Sequence, residues 1–277
     1  MGEYYVDLHL HTKCSDGEQT PEQVMEAAQA AGMSCIALTD HNFFAIHEPV
    51  QRGDLWVIPG AEFSTTYKKK EIHVVGLFFN GVDPAIESIW SCIAKDAWIN
   101  AMIEQLNRLG IEMSMKELKE AYPESKRANR TQVAELLVKK GYAKDKDDAM
   151  DRYVGNRSPY YINPVDFVEY IPLADCVRKI HEYGGIAVLA HPFHYGYTNE
   201  QIEELVAEFR GIDDGPMAME VYYSKYNDEE KQYLLSLAGK YHLLPGVGSD
   251  RHKISHAFAK GSAELLEQMK RATYEYA

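Results

Sequence analysis

The stretch VDLHLHTKCSDG, residues 6–17, places Asp7, His9 and His11 at every second position, with a further carboxylate, Asp16, just beyond. Side chains of a β-strand alternate between two faces, so these three share one face while Val6, Leu8 and Leu10 share the other. The apolar face belongs under helices. The polar face must line a space that tolerates two imidazoles and a carboxylate. One histidine in a strand is ordinarily a hydrogen-bonded core residue or a surface residue. Two at i, i+2, followed by a loop carboxylate, set a metal site beside that ordinary reading.

The rest of the chain alternates strand and helix around this start. Thr20 as N-cap, Pro21 at the first helical position and Gln23 closing a capping box begin a helix that Gly32 ends. CIALTDH (35–41), LWVIPGAEFS (55–64) and EIHVVGLFF (71–79) read as strands. Asp83-Pro84 opens a long helical stretch, Ser114 with Glu117 makes another capping box, and RTQVAELLVKKG (130–141) is helical to its terminal Gly. Residues 84–160 thus carry no convincing strand. Beyond them come a helix at 173–183, the strand GIAVLAH (185–191), a helix near 199–210, MAMEVYY (217–223), a helix near 228–241 and LLPGVGSD (243–250). Seven short apolar strands, most followed by a helix, predict a parallel sheet or barrel, with the active site at the strands' carboxyl ends. Two segments, 1–83 and 161–277, form the barrel domain, and 84–160 is a helical insertion expected to cap the substrate.

The suspicious residues fall at those ends. His9 and His11 end the first strand, Asp40-His41 the second, Glu62 the third and His191 the fifth; Glu220 lies in the sixth, and Asp250 and His252 follow the seventh. His73 comes early in the fourth strand and is an exception. His47, His181, His242 and His256 are read as ordinary surface or packing residues. Six imidazoles and the carboxylates Asp16, Glu62 and Asp250 are too many for one ion. They suit two or three divalent ions of the Mn²⁺, Fe²⁺ or Zn²⁺ kind, whose chemistry is hydrolytic and most often directed at phosphorus.

Composition sets outer limits. The 277 residues, 45% apolar, support one large α/β domain or one domain with an insertion. No apolar run reaches the ~18 residues of a membrane span, and the start shows no secretory signal. Cys14, Cys35, Cys92 and Cys176 are scattered and form no C-x-x-C pair, which fits reduced thiols in a cytoplasmic protein. A net charge of −13 makes a poor general nucleic-acid binder and favours short substrates over long ones.

D-L-H-x-H at Asp7–His11, T-D-H at Thr39–His41, G-A-E at Gly60–Glu62, A-H-P at Ala190–Pro192 and G-S-D-x-H at Gly248–His252 resemble the signature motifs of the polymerase and histidinol phosphatase (PHP) superfamily. The segments NRTQVAELLVKKGY, DAMDRYVG and EVYYSKY are similar to its small phosphoesterases, among them 3′,5′-nucleoside bisphosphate phosphatases. The resemblance covers essentially the whole chain and implies a distorted (β/α)7 barrel with a helical insertion and a trinuclear site. It implies that His9, His11, Glu62 and Asp250 hold one ion, that Glu62 bridges to a second held by His73 and His191, and that Asp16, His41 and His252 hold a third. A hydroxide between ions would attack the phosphorus.

Asp7 and Asp40 stand beside ligand histidines and are read as groups that orient rings or backbone, Asp40 being counted with Glu62 and His194 among the catalytic candidates. Glu220 shares that role or is a buried carboxylate facing a helix. His194 protonates the leaving oxygen, contacts phosphate, or is a loop histidine in solvent. Arg130 matches the arginine of the family's G-R-x-H segment, although Asn129 and Gln132 replace its glycine and histidine; Arg127 and Arg157 are further candidates to bind substrate. Lys126 and Arg152 read as surface residues. Tyr222, Tyr223 and Tyr226 pack in the core or offer a ring to a base.

The resulting expectation is a metal-dependent phosphoesterase acting on a small phosphorylated nucleotide, best the 3′-phosphate of a 3′,5′-bisphosphonucleoside. A 5′→3′ exoribonuclease on short RNA, a metal-dependent amidohydrolase and a non-catalytic module are the alternatives. Neither a membrane nor an obligate protein partner is expected.

Overall fold

The computed structural model describes residues 5–89, 96–123, 128–253 and 255–276. Contacts divide the chain into two compact units: Met1–Tyr67 with Ile72–Ser91 and Ile171–Ala277, and Lys68–Glu71 with Cys92–Tyr170.

The first unit is a mixed α/β barrel. Its strands are β1 (Val6–Asp7), β2 (Cys35–Leu38), β3 (Val50–Arg52), β4 (Leu55–Tyr67), β5 (Lys70–Leu77), β6 (Ile171–Pro172), β7 (Ile186–Leu189), β8 (Met217–Tyr223) and β9 (Leu244–Gly248). The sheet runs β1-β2-β4-β5-β7-β8-β9, with β3 and β6 paired to β4 at the side. Leu8 N donates to Val247 O at 3.2 Å and Asp250 N to His9 O at 3.0 Å, so the last strand returns to the first and nearly closes the ring. The seven strands on this path are the seven read from sequence. Helices α1 (Pro21–Ala30), α6 (Leu173–Glu182), α7 (Asn199–Arg210), α8 (Asp228–Tyr241) and α9 (Ala263–Tyr276) belong to this unit. The capping box of Thr20 and Gln23 is present. The apolar face of the opening segment packs as expected: Val6 and Leu8 join Leu266 and Met269 of α9, while Leu10 joins Val24, Met25 and Ala28 of α1.

Three differences from the sequence reading have physical causes. Only Val6 and Asp7 form a regular ladder, because side chains take the next backbone donors. His9 N donates to Asp7 Oδ1 at 3.3 Å, and Leu10 N to Thr39 Oγ1 at 2.9 Å. Next, β5 runs antiparallel to β7, with Val74 opposite Leu189. Its beginning therefore lies at the end where the parallel strands finish, and His73 ceases to be an exception. Finally, β8 slips register between Glu220 and Tyr222. A bulge there turns both Glu220 and Tyr223 inward, where a regular strand would put them on opposite faces.

The second unit holds α2 (Asp96–Arg108), α3 (Met115–Ala121), α4 (Arg130–Lys139) and α5 (Lys146–Ala149), the last continued by a π turn at Met150–Val154. Of the helical stretch expected from Pro84, Pro84–Ile89 in the first unit is a 3₁₀ turn, residues 90–95 lie outside the described ones and Asp96–Arg108 is helical; Ser114 makes only half of its capping box, accepting from Glu117 N. Asn129 and Gln132 form a complete capping box at the start of α4. Those two departures from the family motif thus have a local use: they hold the helix that Arg130 opens.

Candidate metal centre

Glu62 lies within β4, whose ladder continues past it to Tyr67, and its carboxylate is 1% exposed. Five imidazoles converge on it. His73 Nδ1 and His191 Nε2 each stand 2.7 Å from Oε1; His41 Nδ1, His11 Nε2 and His9 Nε2 stand 3.0, 3.2 and 3.3 Å from Oε2. Asp250 Oδ1 is 3.2 Å from His11 Nε2, and Asp16 Oδ1 is 3.2 Å from His252 Nε2. Ligand atoms of His9, His11, Glu62 and Asp250 lie within 4.8 Å of one another, as do those of His11, Asp16, His41 and His252, and those of His41, Glu62 and His73. The nine residues singled out as ligands are thus brought together. His194 joins a further group with His191 and Asp250.

The chemistry of this set fits divalent ions. His9 and His11 turn Nε2 atoms toward each other at 3.1 Å. Glu62 Oε2, His11 Nδ1, His41 Nδ1 and His191 Nδ1 are buried and lack a hydrogen bond of good geometry. Buried nitrogen and oxygen lone pairs left without hydrogen-bond partners are what cations satisfy. His11 is pushed up to about 10, burial being outweighed by hydrogen bonds with Asp250 and Glu62. Burial also opposes the charged forms of Glu62, Asp16 and Asp250, yet the surrounding imidazoles hold all three well below the usual carboxylate range. For His41 burial prevails and lowers it to about 3.

Neighbouring groups fix the donors. Glu220 Oε1 takes His9 Nδ1 at 2.6 Å and its Oε2 accepts from His191 N at 2.7 Å, so it orients a ring and a backbone turn at once. A Cβ on Gly248 would stand 2.4 Å from Glu220 Oε1 and 2.6 Å from His9 Cβ, which explains the glycine of that motif. His191 and Asp250 hold left-handed backbone, φ 29° and 51°, a conformation unfavourable for such side chains and common where geometry serves function. Asp7 accepts from Ser249 N at 3.0 Å and Ala259 N at 2.8 Å, orienting backbone as expected.

Asp40, read from sequence as a group that orients a ring or backbone and counted among the catalytic candidates, orients backbone. Its carboxylate accepts from Thr12 N and Oγ1 and from Ser15 N and Oγ, at 2.6–3.1 Å, and so clamps the loop that carries Asp16. His194 is exposed; its ring sits 5.0 Å from that of His191 and edge-on to Tyr223 at 5.1 Å. Desolvation and the neighbouring His191 lower its affinity for a proton. Tyr223 is buried and donates to Asp250 Oδ2 at 2.8 Å, Tyr226 is buried, and only Tyr222 of the three tyrosines faces solvent. Tyr195 escaped notice in the sequence: its hydroxyl donates to Ala190 O at 2.8 Å and accepts from His73 N at 3.0 Å, pinning two strand ends. Nothing in its local sequence distinguishes it from the chain's other tyrosines.

The arginines are placed as follows. Arg130 stacks over Trp98, 5.6 Å from the ring centre, and donates to Asn156 Oδ1 at 2.6 Å. Arg157 is 88% exposed and faces Asp151 at 3.6 Å. Arg152 bonds Asp148 and Tyr153. Lys126 and Arg127 lie outside the described residues. Cys35 and Cys176 are buried and Cys14 is exposed, and Cys92 too lies outside the described residues. Among the described residues no helix is long and apolar enough to cross a membrane.

The sequence pattern of the PHP domain matches residues 7–144. A 5′-3′ exoribonuclease, Rnm, of Salmonella typhimurium is 31% identical over 89% of this chain and 85% of its own length. A 3′,5′-nucleoside bisphosphate phosphatase of Chromobacterium violaceum is 27% identical, over 89% of this chain and 87% of its own. A solved structure of an amidohydrolase from Chromobacterium violaceum, with sulfate bound and no metal, superposes with a TM-score of 0.80 at 24% identity, covering 97% of this chain and 96% of that one. At that identity the likeness speaks to the fold.

Proposed function

Since the chain belongs to the PHP domain family, we propose that it is a metal-dependent phosphoesterase of small phosphorylated nucleotides, hydrolysing best the 3′-phosphate of a 3′,5′-bisphosphonucleoside. The observation that carries this reading is the single buried carboxylate of Glu62 met by five imidazoles. Two to three divalent ions, Mn²⁺, Fe²⁺ or Zn²⁺, belong there. His9, His11, Glu62 and Asp250 would hold the first, Glu62, His73 and His191 the second, and Asp16, His41 and His252 the third. Bound ions would acidify water and neutralise charge on the phosphoryl oxygens.

The chain's own groups prepare that chemistry. Glu220 keeps Nε2 of His9 aimed inward, Tyr223 fixes one oxygen of Asp250, and Asp40 holds the Asp16 loop. The N–H of His194 would bond a phosphoryl oxygen. Arg130 would receive a second, non-reacting phosphate, a role supported by its match to the family arginine.

The relatives named as 5′-3′ exoribonucleases favour a second substrate, 5′-phosphorylated short RNA. The chemistry joins the two. In either case water adds to phosphorus, the P–O3′ bond breaks and the proton ends on O3′. A bisphosphonucleoside differs from an RNA 5′ end only in what else the phosphorus carries.

The deciding experiment is a release assay over nucleoside monophosphates, 3′,5′-bisphosphates and 5′-phosphorylated dinucleotides, with each metal in turn. Bisphosphates should exceed the matching monophosphates. Arg130→Ala should lower kcat/KM for the bisphosphate by roughly 10- to 150-fold, the loss of one charge-assisted contact, and spare the monophosphate. Absence of release from every phosphoester, with metal bound, would reject the phosphoesterase reading.

A further inference from the structure

An anionic substrate at the barrel mouth needs a cation there, and Arg130 and Arg157 belong to the other unit. Arg251 adjoins Asp250 but is buried, stacked on Phe258 at 4.2 Å and bonded to Lys253 O. The turn leaving β8 supplies a cation instead. Tyr226 N donates to Tyr223 O at 3.1 Å, closing a tight turn whose two central residues, Ser224 and Lys225, are exposed.

Three bonds tie this turn to the loops that carry His191 and Asp250. The Tyr223 hydroxyl donates to Asp250 Oδ2 at 2.8 Å, Ser224 Oγ to Ser249 O at 3.1 Å, and Phe193 N donates to the Tyr226 hydroxyl at 3.2 Å. The Lys225 ammonium lies 5.8 Å from the centre of the Tyr223 ring, the same ring that His194 meets edge-on. Among the described residues no carboxylate pairs with Lys225, although the chain has 42 Asp and Glu against 29 Lys and Arg. Lysines further along the same segment are engaged, Lys231 with Asp228 and Lys240 with Glu203. A turn held by three bonds therefore presents an ammonium, without a carboxylate partner among the described residues, over the Tyr223 ring that meets His194 and bonds Asp250.

We propose that Lys225, with His194 beside it, grips a non-bridging oxygen of the reacting phosphoryl group. Lysine suits this task as a compact charge that needs no planar partner. The assignment rests on the phosphoesterase reading and adds to it a residue that is neither a candidate metal ligand nor one of the arginines.

The test uses Mn²⁺-loaded enzyme, with inorganic phosphate as probe and a 3′,5′-bisphosphonucleoside as substrate. Lys225→Ala should weaken inhibition by phosphate, and lower kcat/KM, by roughly 10- to 150-fold, the loss expected for one charge-assisted contact. Metal stoichiometry should stay at the wild-type value, and Lys225→Arg should recover most of the loss. Lys179→Ala makes the same change in net charge on an exposed pair with Glu182 and should leave both constants unaltered. Wild-type constants in Lys225→Ala, or an equal loss in Lys179→Ala, would overturn the assignment while leaving the phosphoesterase reading intact. A wild-type holoenzyme that neither binds phosphate nor releases it from any ester would overturn both.

Discussion

The strand ends of the barrel unit and the surface of the helical unit treat charge in opposite ways. In the barrel, Asp7, His9, His11, Asp40, Glu62, His191, Glu220 and Asp250 are all under 10% exposed, and each is held by partners on another strand or loop. In the helical unit, Lys119 faces Asp96 and Arg157 faces Asp151 with more than half of each side chain in water. A buried charge that loses its partner costs several kcal/mol, whereas an exposed pair is worth about 0–1 kcal/mol. One unit therefore fixes its residues in sets and the other can exchange them singly. The two departures from the family motif, Asn129 and Gln132, fall in the permissive unit.

The sharpest way to break this comparison is at its centre. Glu62→Gln keeps the volume and removes the charge that five imidazoles share, so turnover should fall by roughly 10³-fold or more, several kcal/mol of lost transition-state stabilisation. Circular dichroism should show a folded protein with reduced metal content. Near-normal turnover in that variant would remove Glu62 from the middle of the site.

One step outward, Glu220→Gln leaves every candidate ligand in place but weakens its grip on His9 Nδ1. Metal affinity measured by competition with a chelator should fall by roughly 10- to 100-fold, as for other groups that orient ligands. Gly248→Ala should mimic it, because its Cβ would press on the same carboxylate. Unchanged affinity in both would mean that the ring of His9 is held by packing alone.

The smallest effect belongs to the helical unit. Arg157→Ala should shift stability by no more than about 0.5 kcal/mol and leave monophosphate turnover alone, since both members of its pair are exposed. A thermal melt resolves this. A loss comparable to that of Glu220→Gln would erase the contrast between the units.

Much of the barrel could be read in advance because its strands are short apolar runs and its polar residues recur at their ends. Glu62, His191 and Asp250 could be named on that pattern. His73 looked misplaced only because strand direction is a pairing property, invisible to period and composition. The double role of Glu220 depended on a bulge, which no residue type in MAMEVYY announces. Asp40 illustrates a subtler limit: adjacency to His41 points to an orienting role without saying whether a ring or backbone is its target, and the side chain turns to the Asp16 loop. Lys225 lies within EVYYSKY, and what singles it out is structural: among the described residues no carboxylate pairs with it.

The ring closes between its first and last strands, where Leu8 meets Val247 and His9 meets Asp250. That seam joins residues some 240 positions apart, so it forms after the loop between them has collapsed, and contacts of such separation are slow to make. Glu62 and His73, by contrast, come together within one hairpin. A nascent chain would thus display part of the constellation early and complete it only with its final third. An ion held across the seam would act as a latch, binding the closed ring and not the open one, and would lend it stability that grows with metal concentration.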